Sequence, residues 1–156
     1  MKSFSEFNEG NSKDLHHNGF KITFKMNKTF SEEDKIKFFS MLDLAAGYLK
    51  VKNCTIHITK SGDSDASGRT NHCNVRYDKN IEKMVETLAH ELTHIKQHLV
   101  GDFVDSDEPF DYDHGVWKGK RAKIYTSGVK YHHSPWEVEA RDIARKLIGL
   151  WKRFNK

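Results

Sequence analysis

His90-Glu91-Leu92-Thr93-His94 sets two imidazoles four residues apart with an acid between them. On a helix, residues at that spacing lie about 40° apart in azimuth and one turn along the axis, so both rings reach one metal ion. Glu91, beside the first ring, then reaches a metal-bound water rather than the metal. Zinc lowers the pKa of such a water toward about 7, and the carboxylate takes its proton as the oxygen attacks a polarised amide carbonyl. That chemistry is hydrolysis without a covalent intermediate. Histidine is abundant, 10 in 156 residues, and a chain this rich in His and Glu would carry the pattern by accident about once in 25 sequences.

A catalytic zinc takes a third protein ligand and keeps one position open. Downstream donors are His114, His132, His133, Glu137 and Glu139. Ser134-Pro135-Trp136-Glu137 matches a helix start, with Ser134 as N-cap, Pro135 at the first helical position and Glu137 at the capping-box position. That gives Glu137 a structural task and favours Glu139, one turn inside the same helix, as the ligand, with Glu137 and His114 as alternatives. Tyr125, Tyr131, His132 and His133 precede this helix and are candidate donors to an oxyanion. His98 lies a turn too far along the first helix to share the ion.

These side chains need elements to hold them. Phe20 to Met26 alternates apolar and polar residues and predicts a half-buried strand. Ser31 and three acids open a helix from Glu32 to Lys50 with a stripe of Ile36, Phe39, Leu42, Ala46 and Leu49. Thr55 to Thr59 and His72 to Tyr77 read as short strands, the second as a sheet edge able to pair with an extended peptide. The stretch between them, Ser61 to Arg69, reads as a turn or flexible loop. Asn80 to Val100 is helical, its stripe made by Ile81, Met84, Val85, Leu88, Leu92, Ile95 and Leu99, and Gly101 ends it. Counted from Leu88, the stripe centres near roughly 20° while His90 and His94 fall near roughly 200° and 240°, away from the core side. Asp102 to Gly115 holds six acids and no Lys or Arg, and reads as a solvated loop without the EF-hand register. Ser134 starts a last helix carrying Trp136, Ala140, Ile143, Ala144, Leu147 and Trp151. The order predicts an α+β domain, a small mixed sheet covered by helices, over residues 20–156, with residues 1–19 as a flexible arm on which Phe4 and Phe7 could dock.

Composition is consistent with one such domain. The chain has 26 Lys and Arg against 22 Asp and Glu, a net charge of +4, with 37% hydrophobic and 31% charged residues. Collagen, coiled coil and full-length disorder are excluded. No apolar run reaches the roughly 18 residues of a membrane span and the first residues lack a secretory signal, so an intracellular, cytoplasmic monomer without a membrane partner is expected. Cys54 and Cys73 read as reduced thiols near strands. From Val116 onward 11 basic residues face three acids. This supports solubility first and nucleic-acid contact second.

The segment AHELTHIKQHLVGDF, followed by Trp117-Lys118-Gly119-Lys120, a tyrosine and SPWEVEAR, resembles the short zincin-type metallopeptidase domains widespread in bacteriophage genomes, often labelled SprT-like. The resemblance covers Ala89 to Arg141, about a third of the chain. It implies a zincin-like fold of gluzincin type, one zinc ion per chain, His90 and His94 as ligands, Glu91 as base, Glu139 of the Glu-Ala pair as third ligand, a peptide or protein substrate, and the host cytoplasm as location if phage-encoded. Two features depart from the pattern. Ile143 stands where thermolysin-like members carry an acid, and Asp113-His114-Gly115 is similar to the third-histidine segment of the Spartan and SprT proteases. A binding module on the same scaffold, with structural zinc and a DNA or host-factor partner, is the alternative.

Overall fold

The computed structural model describes residues 13–67, 71–106 and 113–155. Two strands, β1 (Lys13–His17) and β2 (Phe20–Lys25), open it as an antiparallel hairpin. Its two-residue turn, Asn18-Gly19, has positive φ at both positions (48° and 86°), the turn that suits the twist of a hairpin. Gly19 is also required sterically, since a Cβ there would lie 2.5 Å from Asn53 Oδ1. The expected arm of residues 1–19 is thus a strand from Lys13 onward. An edge strand needs only backbone partners, and polar residues such as His16 and His17 hide it from a search for apolar alternation. Phe4 and Phe7 lie outside the described residues.

Helix α1 (Glu32–Leu49) starts where Ser31 Oγ accepts from the Asp34 N–H at 3.1 Å and its first turn carries three acids. Its buried stripe is Phe38, Met41, Leu42, Ala45 and Leu49, whereas Ile36 is 64% exposed. The expected stripe was therefore rotated by about a residue. Strands β3 (Thr55–Thr59), β4 (Asp65–Ser67) and β5 (His72–Arg76) complete a mixed sheet in the order β1-β2-β3-β5-β4. The central β2, β3 and β5 run parallel, and β1 and β4 flank them antiparallel. Two expectations change here. β5 lies inside the sheet, and the flanking strand is β4, drawn from the stretch expected to be loop. Three residues without an apolar pattern leave no periodic signal.

Helix α2 (Ile81–Leu99) begins at Asn80, whose side chain accepts from the N–H groups of Glu82 and Lys83. Leu99 at its end is 54% exposed and stands outside the stripe. A second, antiparallel sheet follows, made of β6 (Phe103–Asp105), β7 (His114–Trp117) and β8 (Lys120–Lys123). The acidic loop is thus framed by strands at both ends, while Asp107, Glu108 and Asp111 lie outside the described residues. Helices α3 (Gly128–His132) and α4 (Pro135–Phe154) close the described chain.

The architecture is α+β with a mixed sheet, as expected. Ile22, Phe24, Ile56, Ile58, Cys73 and Val75 form one apolar sheet face that shares a core with α1, α2 and α4, and α4 lies against α2 and α1. Cys54 and Cys73 are free and buried. Trp151 Nε1 donates to Lys37 O at 3.0 Å and ties the end of α4 to α1, which fixes how α4 lies along the core. None of the described helices is long and apolar enough to cross a membrane.

Candidate metal centre

The second half of α2 is buried on more than its core side. Leu88, Leu92 and Ile95 face the sheet, and Glu91, Thr93 and Gln97 are also nearly inaccessible. The opposite face is covered by the start of α4, so His90 and His94 are turned toward another helix and keep only 20% and 14% side-chain exposure. Aromatic packing sets that start in place. Trp136 meets Phe103 of β6 at a centroid distance of 4.9 Å and Trp117 of β7 at 5.9 Å.

From this position Glu137 reaches both rings. Its Oε2 is 3.2 Å from His90 Nε2 and its Oε1 is 2.8 Å from His94 Nε2, and the two Nε2 atoms are 3.1 Å apart. Among the described residues, His90, His94 and Glu137 bring one donor atom each within 4.8 Å of one another, as a metal site requires. Two imidazole nitrogens and a carboxylate oxygen are a zinc donor set, and these separations approach the roughly 3.3 Å edge of a tetrahedron with bonds of about 2.0 Å. The residues present fit the ion.

The glutamate in the triad is therefore Glu137, and the assignment of Glu139 is corrected. Residues two apart on a helix point about 160° apart, so only one of them can face the histidines. Glu139 turns to the other side, where its Oε2 accepts from Lys118 Nζ at 2.9 Å and its Oε1 from Gln97 Nε2 at 3.3 Å. The capping argument fails at its first member. Ser134 flanks α4 but makes no side-chain cap, and its backbone N–H, from which a capping-box glutamate would accept, already donates to Tyr131 O at 3.1 Å. Glu137 is then free to turn toward α2.

The other sequence candidates separate clearly. Tyr131 donates to Glu137 Oε1 at 3.0 Å and borders the site. His132 and His133 are exposed at the end of α3, where the His132 carbonyl accepts from Arg141 and its side chain lines a neighbouring hollow. Tyr125 has the ammonium groups of Lys123 and Lys130 over its ring, at 5.5 and 5.4 Å from its centroid. His114 lies on β7 and is not part of the donor triad. His98 packs edge-on against Phe103. Several basic residues of the last third are locally engaged, Lys152 with Glu82 at 2.7 Å and Lys146 over the Tyr48 ring. This accounts for part of that excess without a partner.

Electrostatics divides the acids of the site. Burial pushes the Glu91 carboxyl up to about 8, and the negative charges of Glu137 and Asp65 act in the same direction while His94 opposes them. Burial also works to raise Glu137, but the hydrogen bonds and charges of His90 and His94 hold it well below the usual range. For His94, burial disfavours the cation, and the Glu137 hydrogen bond and charge outweigh it and raise the pKa. Burial and the Glu137 charge keep Tyr131 a neutral phenol.

Two hollows of about 430 and 200 Å³ meet at the triad, and Ser64, Glu91, Tyr131 and Glu137 line both. Asp65 and Ala66 of β4 form part of the rim of the smaller one. Sequence reasoning missed Gln97 and the rim at Ser64 and Asp65. The first carried a signal, a polar residue one turn after His94 on its own face. The rim carried none. No family model matches this chain, and no curated protein or solved structure does either.

Proposed function

We propose that the protein is a zinc-dependent peptidase in which His90, His94 and Glu137 hold the ion and Glu91 is the general base. The observation that carries this reading is the convergence of one carboxylate and two imidazoles at the junction of two hollows, with a buried acid beside them. A zinc ion there would supply Lewis acidity, polarising a substrate carbonyl and acidifying water next to it. Glu91 takes the proton of the attacking water as the C–O bond forms, and passes it to the leaving nitrogen as the C–N bond breaks. A carboxyl raised toward neutrality suits both halves of that transfer. Tyr131, a neutral phenol that borders the site and donates to Glu137, would turn its hydroxyl to the oxyanion when substrate is bound. The rim strand β4 offers backbone groups to an extended peptide, which supports a polypeptide substrate over a small amide.

Zinc stoichiometry and peptide hydrolysis on the purified protein and four variants test the reading. One zinc per chain is expected, lost in His90→Ala and in Glu137→Gln and retained in Glu139→Gln. Glu91→Gln is expected to keep the metal and lose hydrolysis by about 10² to 10⁴-fold. Hydrolysis at the parent rate in Glu91→Gln removes the mechanism. Zinc without hydrolysis in the parent replaces it with a binding module.

A further inference from the structure

Gln97 lies on α2 three residues beyond His94 and is 1% exposed. Its amide has two ends of opposite character, and the surroundings decide which way round it sits. On one side stand Trp136 O at 2.9 Å and Glu139 Oε1 at 3.3 Å, both acceptors. Two acceptors require two N–H donors, so the NH₂ end faces them. The carbonyl end, Oε1, is then the atom 2.8 Å from His94 Nδ1. A carbonyl oxygen has no proton to give, so Nδ1 carries it. Reversing the amide would set its oxygen against two acceptors and lose both bonds. Glu139 is itself steadied by Lys118, which sits in the β7–β8 turn at a φ of 47°.

We infer that Gln97 is a positioning residue for the metal, locking the His94 ring with Nδ1 protonated and Nε2 turned toward His90 and Glu137. Trp136 O and Glu139 act through it by fixing the amide. Partners of this kind on a ligand histidine typically contribute 10 to 100-fold in metal affinity. The inference rests on the metal reading above, and its test separates the two.

The test measures the zinc dissociation constant of the parent and of Gln97→Met by competition with a chromophoric chelator, and records the imidazole N–H resonances of the zinc-loaded, ¹⁵N-histidine-labelled proteins. The parent is expected to show a slowly exchanging His94 Nδ1–H. Gln97→Met is expected to lose that resonance and bind zinc 10 to 100-fold more weakly. A residue that merely joined α2 to α4 would lower the melting temperature and leave the resonance in place. If Gln97→Met does not fold, Glu139→Gln takes its place, because it removes one of the two fixed acceptors that orient the Gln97 amide and leaves Trp136 O alone to do so. Its zinc affinity is expected to fall several-fold, with faster exchange of the same proton. Parent affinity with an unchanged resonance in a folded variant overturns the inference and leaves the metal site standing. A parent that binds no zinc overturns both.

Discussion

Replacing Glu91 with Gln should separate stability from chemistry in one side chain. Glu91 is 6% exposed, and burial lifts its carboxyl from 4.5 to about 8. An acid whose folded pKa exceeds its unfolded value weakens the fold as pH rises between the two, with no cost below the lower value and the full cost above the higher. At pH 7 the metal-free folded protein holds Glu91 largely protonated while the unfolded chain ionises it. The 2.5 pH units above 4.5, at about 1.36 kcal/mol each, give a cost on the order of 3 kcal/mol. A neutral amide of the same shape removes that cost. Metal-free Glu91→Gln is therefore expected to exceed its metal-free parent in stability at pH 7, by roughly 6 to 12 °C in Tm for a domain of this size, and to match it near pH 4.5. Urea titrations of both proteins at the two pH values measure the difference, provided the slopes agree. A variant no more stable than its parent at pH 7 refutes the claim that the fold keeps this carboxyl under strain.

Three further outcomes follow from the same geometry. Tyr131→Phe deletes the hydroxyl that donates to Glu137 Oε1 and is expected to keep zinc while kcat falls about 10²-fold, so an unchanged kcat removes Tyr131 from the chemistry. In the metal-free protein the raised pKa of His94 and the lowered pKa of Glu137 both favour the fold between their unfolded values of 6.5 and 4.5. That contribution is lost as pH rises through the folded pKa of His94 or falls through that of Glu137, and a Tm–pH profile unaltered by His94→Ala would contradict the pair. Burial raises Cys54 to about 11 and Cys73 well above its ordinary value, so iodoacetamide at pH 8 should leave both thiols untouched in the native protein and label both in urea, as read by mass spectrometry. Rapid native labelling of Cys73 would be incompatible with its place on the buried face of the sheet.

What was legible in the chain follows from how strongly each element repeats a pattern. β2, α1, α2 and α4 each bury a continuous face, and their apolar spacing announces them, though α1 shows how a helix with apolar residues on several sides leaves its facing ambiguous by a residue. β1 and β4 pair through backbone hydrogen bonds without an apolar pattern, and β6, though Phe103 packs on Trp136, is too short at three residues to show alternation. Asn18-Gly19 was the one readable sign of the first hairpin, because only its φ values demand particular residues. The inversion of edge and interior between β4 and β5 has the same origin. Cys73 and Val75 do alternate inward, but alternation does not say how many neighbours a strand has.

The site itself was legible to within two positions of one helix, and the miss has a physical cause. A glutamate three residues into a helix beside a serine normally answers the unpaired N–H groups of the first turn. The same location places a carboxylate where the helix N-terminus favours negative charge. A metal ligand profits from that field as much as a cap does, so the residue best suited to capping was also the one best suited to face two imidazoles. What decides between the two uses is the partner of Ser134. Its backbone N–H is already committed to Tyr131 O, so no capping box forms, and the neighbouring α2 offers Glu137 two imidazoles in place of that one N–H. Glu139, favoured as the ligand by the capping argument and by the resemblance alike, then closes the support behind His94, which is a task that needs its charge and its place on α4 but not the metal.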